Sequence, residues 1–323
     1  MAEKNFPENP KIMVLGAGAI GSLFGGLLAD AGNDVTLVGR AAHVNAIKKN
    51  GLRISGLTEK VLQVKAATKP VKSDFVLLTV KSYDTETAAR MIPLGKNTVV
   101  MNIQNGLGNV EKIADAVGLS RTLGGITSHG SLHLAPGHIK HTGIGYTTIG
   151  ELDGVCPNLD ADASRSDRGK TKRVERIAEI FNDAGIETKI SEEIKRDIWV
   201  KLIVNAGINA LTALAGVKNG MLLEIPEMKE SMRLAVEEAT LVAGKSGIRI
   251  DEDTVKKTED VARLTKENES SMLQDVKKRK KTEIDAINGA VAALGKKLGV
   301  ETPVNMTLYA LVRGKEEGYR KER

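Results

Sequence analysis

Up to about residue 190 the chain alternates short apolar runs with amphipathic stretches. Residues 11–15 form an apolar run that breaks into Gly16-Ala-Gly-Ala-Ile-Gly21. A helix is predicted over 22–31, with Gly32-Asn33 as its stop, and a buried strand over 35–38. The pattern continues with a helix over 41–50, two short strands around Gly56 within 52–64, a strand over 75–80, a helix over 85–92 and a strand over 98–103. Continuous apolar strands separated by helices predict a largely parallel sheet covered on both faces. From 122 to 150 glycine and threonine abound, and Pro136-Gly137 marks a turn, so antiparallel strands at the sheet's far edge are expected. A helix over 172–184 and a strand over 186–190 complete this half. Beyond Ser191 the periodicity is helical, over 192–215, 226–246, 253–266 and 270–298.

The fold class expected is therefore an α/β Rossmann-type N-terminal domain, mostly parallel with an antiparallel edge, followed by an all-α C-terminal domain. The boundaries are 1–10 as an N-terminal extension, 11–191 as the α/β domain and 192–323 as the helical domain. A chain of 323 residues exceeds what one core usually covers.

Composition narrows the functional classes. Aromatic residues are 3%, too few for a platform that stacks single-stranded nucleic acid. Part of the net charge of +6 lies in Lys277-Lys-Arg-Lys-Lys281. This run reads as a solvated helix face or as an electropositive rim for an anionic ligand, and no nucleic-acid docking motif accompanies it. The single cysteine, Cys156, reads as an incidental loop residue, and 158–170 as a long exposed loop. The first ten residues lack the apolar core of a signal peptide. No stretch is read as long enough to span a bilayer, so a cytoplasmic protein with no membrane or nucleic-acid partner is expected. His129, His133, His138 and His141 are read as structural or exposed, with no metal site. A helical half with apolar faces is compatible with a homodimer.

Gly16, Gly18 and Gly21 match G-x-G-x-x-G after a buried strand and at the start of a helix. In such a turn the first glycine allows the tight bend, the second lets a pyrophosphate approach and the third lets helix and strand pack closely. The helix N-terminus offers free N–H groups and positive dipole to the phosphates. The stretch Gly16, Ala17, Gly18, Ala19, Ile20 and Gly21 is thus a candidate cofactor site. At the end of the second strand stands Arg40 and no acid, which favours NADP, although an arginine at a strand end is also common on plain surfaces. Lys81 and Asn105 follow two further strand ends, where they either touch a ligand or cap the next helix.

The helical half carries Lys201, Asn205 and Asn209 at i, i+4 and i+8, a polar stripe on a helix otherwise rich in Ile, Leu, Val and Trp. Two readings are open: a ligand-lined cleft, or an interhelical hydrogen-bond seam. Asn219 lies in a break and could be a left-handed turn residue. In a continuous helix over 270–298, Ser271 and Glu283 would point about 120° apart, and share a site only if the helix bends or breaks between them.

Taken together, these blocks resemble the ketopantoate reductases (2-dehydropantoate 2-reductases). The similarity runs from Lys11 to about Tyr319 and is carried by the fingerprint with Arg40, Thr79-Val-Lys81, Asn105-Gly-Leu-Gly, the helix from Trp199 to Thr212, Asn219-Gly, Ser270-Ser-Met-Leu-Gln-Asp and Thr282-Glu-Ile-Asp-Ala-Ile-Asn-Gly. The resemblance implies reduction of 2-dehydropantoate to pantoate with NADPH, for pantothenate and coenzyme A synthesis. It implies Lys201 as general acid and Glu283 as a contact to substrate and cofactor. Asn205, Asn209, Asn219 and Ser271 would hold the substrate, Lys81 and Asn105 would sit at the nicotinamide end, and Arg40 would take the 2′-phosphate. The alternatives on the same framework are a reductase of another branched 2-oxo acid and a non-catalytic NADP-binding sensor.

Overall fold

A computed structural model describes residues 6–152 and 171–321. Cys156, the loop expected over 158–170 and the first five residues lie outside the described residues. The chain divides into two compact units, Met1–Gln104 with Asn109–Asp197, and Asn105–Gly108 with Ile198–Arg323.

The first unit contains, in order, β1 (Ile12–Leu15), α1 (Ala19–Asp30), β2 (Val35–Val38), α2 (Ala41–Asn50), β3 (Leu52–Gly56), β4 (Lys60–Leu62), β5 (Lys65–Ala67), β6 (Phe75–Leu78), α3 (Thr85–Arg90), β7 (Val99–Asn102), α4 (Asn109–Val117), β8 (Thr122–Thr127), β9 (Gly130–Ala135), β10 (His138–Gly143), β11 (Thr147–Glu151), α5 (Lys172–Asp183) and β12 (Thr188–Ile190). Eight strands form one sheet in the order β12-β11-β8-β7-β6-β1-β2-β5. From β8 to β5 every neighbour is parallel, and β11 runs antiparallel to β8. The mostly parallel sheet with an antiparallel edge is as the sequence predicts. All residues of β1, β6 and β7 are buried, which is why they appear as unbroken apolar runs. Phe6, in the N-terminal extension, packs edge-on against Phe75 at 6.4 Å.

The expectation for 122–150 needs correction. Only β8 and β11 join the large sheet. The β9–β10 hairpin belongs to a second sheet of order β4-β3-β10-β9, where β10 pairs in parallel with β3. Elements α4 and β5 were also not predicted: β5 is three residues long, with no apolar run to announce it.

The second unit is all α among the described residues: α6 (Ile194–Ala215, counted from Ile198), α7 (Met221–Glu224), α8 (Pro226–Lys245), α9 (Thr254–Leu264), α10 (Ser271–Lys277), α11 (Asn288–Leu298) and α12 (Pro303–Lys321). Pro226 at the first helical position suits α8, where the missing N–H would have had no partner. Two expectations fail here. With 22 residues, α6 is in fact long and apolar enough to cross a membrane, but most of it is buried as a core helix, with Leu202, Ile203, Ala206 and Ala210 in one cluster. The helix expected over 270–298 is broken. Its first piece, α10, ends in a Schellman motif: Lys280 N–H donates to Asp275 O and Arg279 N–H to Val276 O, both at 2.9 Å. Arg279 holds the left-handed position (φ 49°) that glycine usually takes. The basic run 277–281 is therefore a helix end and loop, not a helix face.

Candidate active site

In the first unit the glycine turn is built by close contacts. Gly16 has φ +114°, and a Cβ there would stand 2.5 Å from Val80 N. A Cβ on Gly21 would stand 2.3 Å from Gly16 O and 2.4 Å from Thr79 Oγ1. Gly18 is different: a Cβ there would meet nothing closer than 3.9 Å, so this side of the turn is open. Gly18 is the N-cap of α1 without a side-chain cap, and the first intrahelical bond runs from Ser22 N–H to Gly18 O. The N–H groups of Ala19, Ile20 and Gly21 thus precede the helical ladder, as an anion site requires. These residues fit a dinucleotide's pyrophosphate. Arg40 follows β2 as the exposed N-cap of α2, and its guanidinium has no hydrogen-bond or ion-pair partner among the described residues. Lys81 follows β6 and caps a 3-10 turn.

In the second unit α6 carries Lys201, Asn205 and Asn209 along one side. Asn209 is buried, at 4% exposure. The Nδ2 atoms of Asn205 and Asn209 are buried without a hydrogen-bond partner. A seam would pair them, so their isolation favours a ligand-lined site. Asn219 Nδ2 donates to Thr265 Oγ1 at 2.9 Å, and Thr265 gives its own proton to Val261 O at 2.7 Å. That fixes the amide's orientation and leaves Asn219 Oδ1 as a buried, unpartnered acceptor. Asn219 is not left-handed, as the sequence had allowed; Arg279 is the one non-glycine residue with positive φ among the described residues.

Tethers to α6 bring the remaining residues to this helix. Thr212 Oγ1 donates to Ser270 Oγ at 2.7 Å, and Ser270 in turn caps α10, so Ser271 begins its helix beside α6. Asn288 Nδ2 donates to Ala206 O at 3.0 Å and anchors the turn after Glu283. Leu107 N–H donates to Ala286 O at 2.9 Å, which sets Asn105–Gly108 against the same turn. Gly106 (φ +88°) is required there, because a Cβ would lie 2.6 Å from Ala286 O. The break after α10 removes the angular offset of about 120° that a continuous helix would impose on Ser271 and Glu283. Sequence reading missed Glu316 on α12, which accepts from Thr282 N–H at 2.7 Å and so holds the turn entering Glu283. Its only sequence signal is an acid on the apolar side of a helix that was itself not predicted.

Lys201 is partly exposed as a residue, but its ammonium is enclosed. Burial lowers its pKa from 10.5 to about 8, and the nearby Glu283 carboxylate offsets part of the fall. A lysine in this state can give up a proton near neutral pH. Among the described residues no group of three or more His, Cys, Asp or Glu could hold a metal ion. His129, His133, His138 and His141 lie on or just before the strands of the small sheet, and three of them bond to other side chains.

Residues 12–154 match the family described as Ketopantoate reductase PanE/ApbA, and 193–316 match its C-terminal counterpart. A 2-dehydropantoate 2-reductase of Pyrococcus abyssi is 42% identical over 95% of this chain and 98% of its own. The crystal structure of a PanE/ApbA family ketopantoate reductase from Ralstonia eutropha superposes with TM-score 0.85 at 31% identity, covering 96% of this chain and 99% of that one. A D-mandelate dehydrogenase solved with NADH and anilino(oxo)acetate is similar in fold, with TM-score 0.85 at 28% identity over 96% of this chain and 99% of its own. The chain belongs to the ketopantoate reductase family.

Proposed function

We propose that this chain reduces 2-dehydropantoate to pantoate with NADPH, as a cytoplasmic enzyme of pantothenate and coenzyme A synthesis. Residues 11–191 hold the nucleotide and 192–323 hold the keto acid. The observation that carries this reading is the enclosed lysine of pKa about 8 on a helix whose neighbouring carboxamides keep unpaired buried atoms.

A nicotinamide nucleotide held at Gly16 to Gly21 would, when bound, supply the hydride for the ketone carbon. Lys201 Nζ gives a proton to the ketone oxygen, and its charge stabilises the developing alkoxide beforehand. Glu283 keeps enough of Lys201 protonated for this role. The unpaired Nδ2 groups of Asn205 and Asn209 are donors suited to the substrate's carboxylate, with Ser271 and Asn105 as further polar contacts. Asn219 Oδ1 is an acceptor suited to a hydroxyl, which 2-dehydropantoate carries at its far end. Gly16 to Gly21 receive the pyrophosphate, Arg40 the 2′-phosphate, and Lys81 the nicotinamide end.

The D-mandelate dehydrogenase neighbour, solved with NADH, favours a second reading: reduction of another 2-oxo acid with NADH. One assay separates the two. Nucleotide oxidation is followed with 2-dehydropantoate beside phenylglyoxylate and branched 2-oxo acids, each with NADPH and NADH. Turnover highest with 2-dehydropantoate and NADPH is expected; higher kcat/KM with another acid or with NADH overturns the corresponding half of the proposal.

A further inference from the structure

His43 takes no part in the chemistry described so far, yet its surroundings are specific. It lies in the first turn of α2, three residues after Arg40, and is 5% exposed. Its Nε2 is 3.0 Å from Ser22 Oγ, in the first turn of α1 directly after Gly21. Gly137 N–H, in the β9–β10 turn, donates to its Nδ1 at 2.9 Å. His133 Nε2, on β9, is 3.2 Å from the same Nδ1.

A backbone N–H can only donate, so Nδ1 is the acceptor, and in the neutral ring Nε2 carries the proton. The ring therefore donates to Ser22 and accepts from the Gly137 N–H of the hairpin, with His133 Nε2 packed 3.2 Å from the same Nδ1. Burial, then the neighbouring His133, lowers the pKa of His43 to about 4, so this pattern holds at neutral pH. A second tie lies alongside: Ser131 Oγ of β9 donates to Ala19 O at 3.2 Å. The start of α2 is thus fastened to the turn of α1 that faces the pyrophosphate. Arg40 is the N-cap of α2, and its guanidinium is held by no side chain among the described residues, so the placement of that first turn decides where it reaches.

We propose that His43 is a positioning residue for nucleotide selection, locking the first turn of α2 onto α1 so that Arg40 meets a 2′-phosphate. This rests on the NADPH reading above. The test is calorimetric titration of NADP+ and NAD+, without substrate, into wild type and variants, reading the ratio of the two dissociation constants. His43→Leu removes both bonds and should lower the preference for NADP+ by about tenfold, the scale of one hydrogen bond. Ser22→Ala removes one bond from the other side and should act in the same direction if the histidine variant folds poorly. His43→Gln keeps a donor and an acceptor and should restore most of the preference. In an Arg40→Ala background, His43→Leu should leave the ratio unchanged. Equal weakening of both nucleotides, at constant ratio, means a purely structural histidine and overturns the proposal alone. A wild-type ratio near one overturns it together with the NADPH reading.

Discussion

Glu283 raises the pKa of Lys201 while burial lowers it, and the balance leaves the lysine at about 8. The two residues stand 82 positions apart in the chain, and the tethers of Asn288 to Ala206 and of Thr282 to Glu316 hold the carboxylate's turn in place. A lysine at its ordinary 10.5 would be a weaker acid, and one lowered further would be deprotonated at pH 7.

Replacing Lys201 with Ala should lower kcat by about 10²–10⁴-fold, or roughly 3–5 kcal/mol of barrier. The proposed contacts to the pyrophosphate and 2′-phosphate, Gly16 to Gly21 and Arg40, belong to the other unit, so the NADPH dissociation constant should change little. Lys201→Arg should rescue poorly, since guanidinium keeps the charge but holds its proton too tightly. Turnover of Lys201→Ala within a few-fold of wild type, at saturating NADPH, removes the lysine from the mechanism.

The pH profile follows from the same balance. With the protonated lysine as the working acid of the proposed mechanism, reduction should hold below pH 8 and fall as pH rises through about 8. Glu283→Gln removes the charge that raises this pKa, so the basic limb should move to lower pH. The profile of kcat at saturating substrate and cofactor checks this, and a limb that stays in place or moves upward contradicts it.

Arg40→Asp should weaken NADPH binding by about 10–100-fold, the worth of a charge-assisted hydrogen bond, and narrow or reverse the preference over NADH. Steady-state KM values for both nucleotides decide. Equal use of NADH and NADPH by the wild type would show that Arg40 does not select the cofactor.

Asn209→Ala separates a ligand site from a structural seam. Asn209 lies about 12 Å along the helix from Lys201, at 1.5 Å per residue, too far to assist proton transfer directly. The KM for the oxo acid should rise by about tenfold with the NADPH dissociation constant unchanged. Because Asn209 Nδ2 is unpaired, the thermal midpoint should stay the same or rise. Normal substrate kinetics with a lowered midpoint would identify the stripe as structure.

Local pattern alone was enough for much of this protein. The apolar runs of β1, β2, β6 and β7, the helix stop at Gly32, the glycine turn and the spacing of Lys201, Asn205 and Asn209 are each legible because burial on one element imposes its own period on the residues that form it. What tertiary structure decided are choices between distant partners. The β9–β10 hairpin leaves the large sheet because β10 pairs with β3, 85 residues earlier, and no period within the hairpin records that. The segment Asn105–Gly108 goes with the helical unit because its backbone bonds to Ala286. The helix expected over 270–298 breaks between Ser271 and Glu283 because Arg279 takes a left-handed turn without a glycine, and Glu316 receives the N–H of Thr282 from 34 residues away. Side-chain periodicity reports which face of an element is buried; which element covers it depends on backbone groups and contacts that lie elsewhere in the chain.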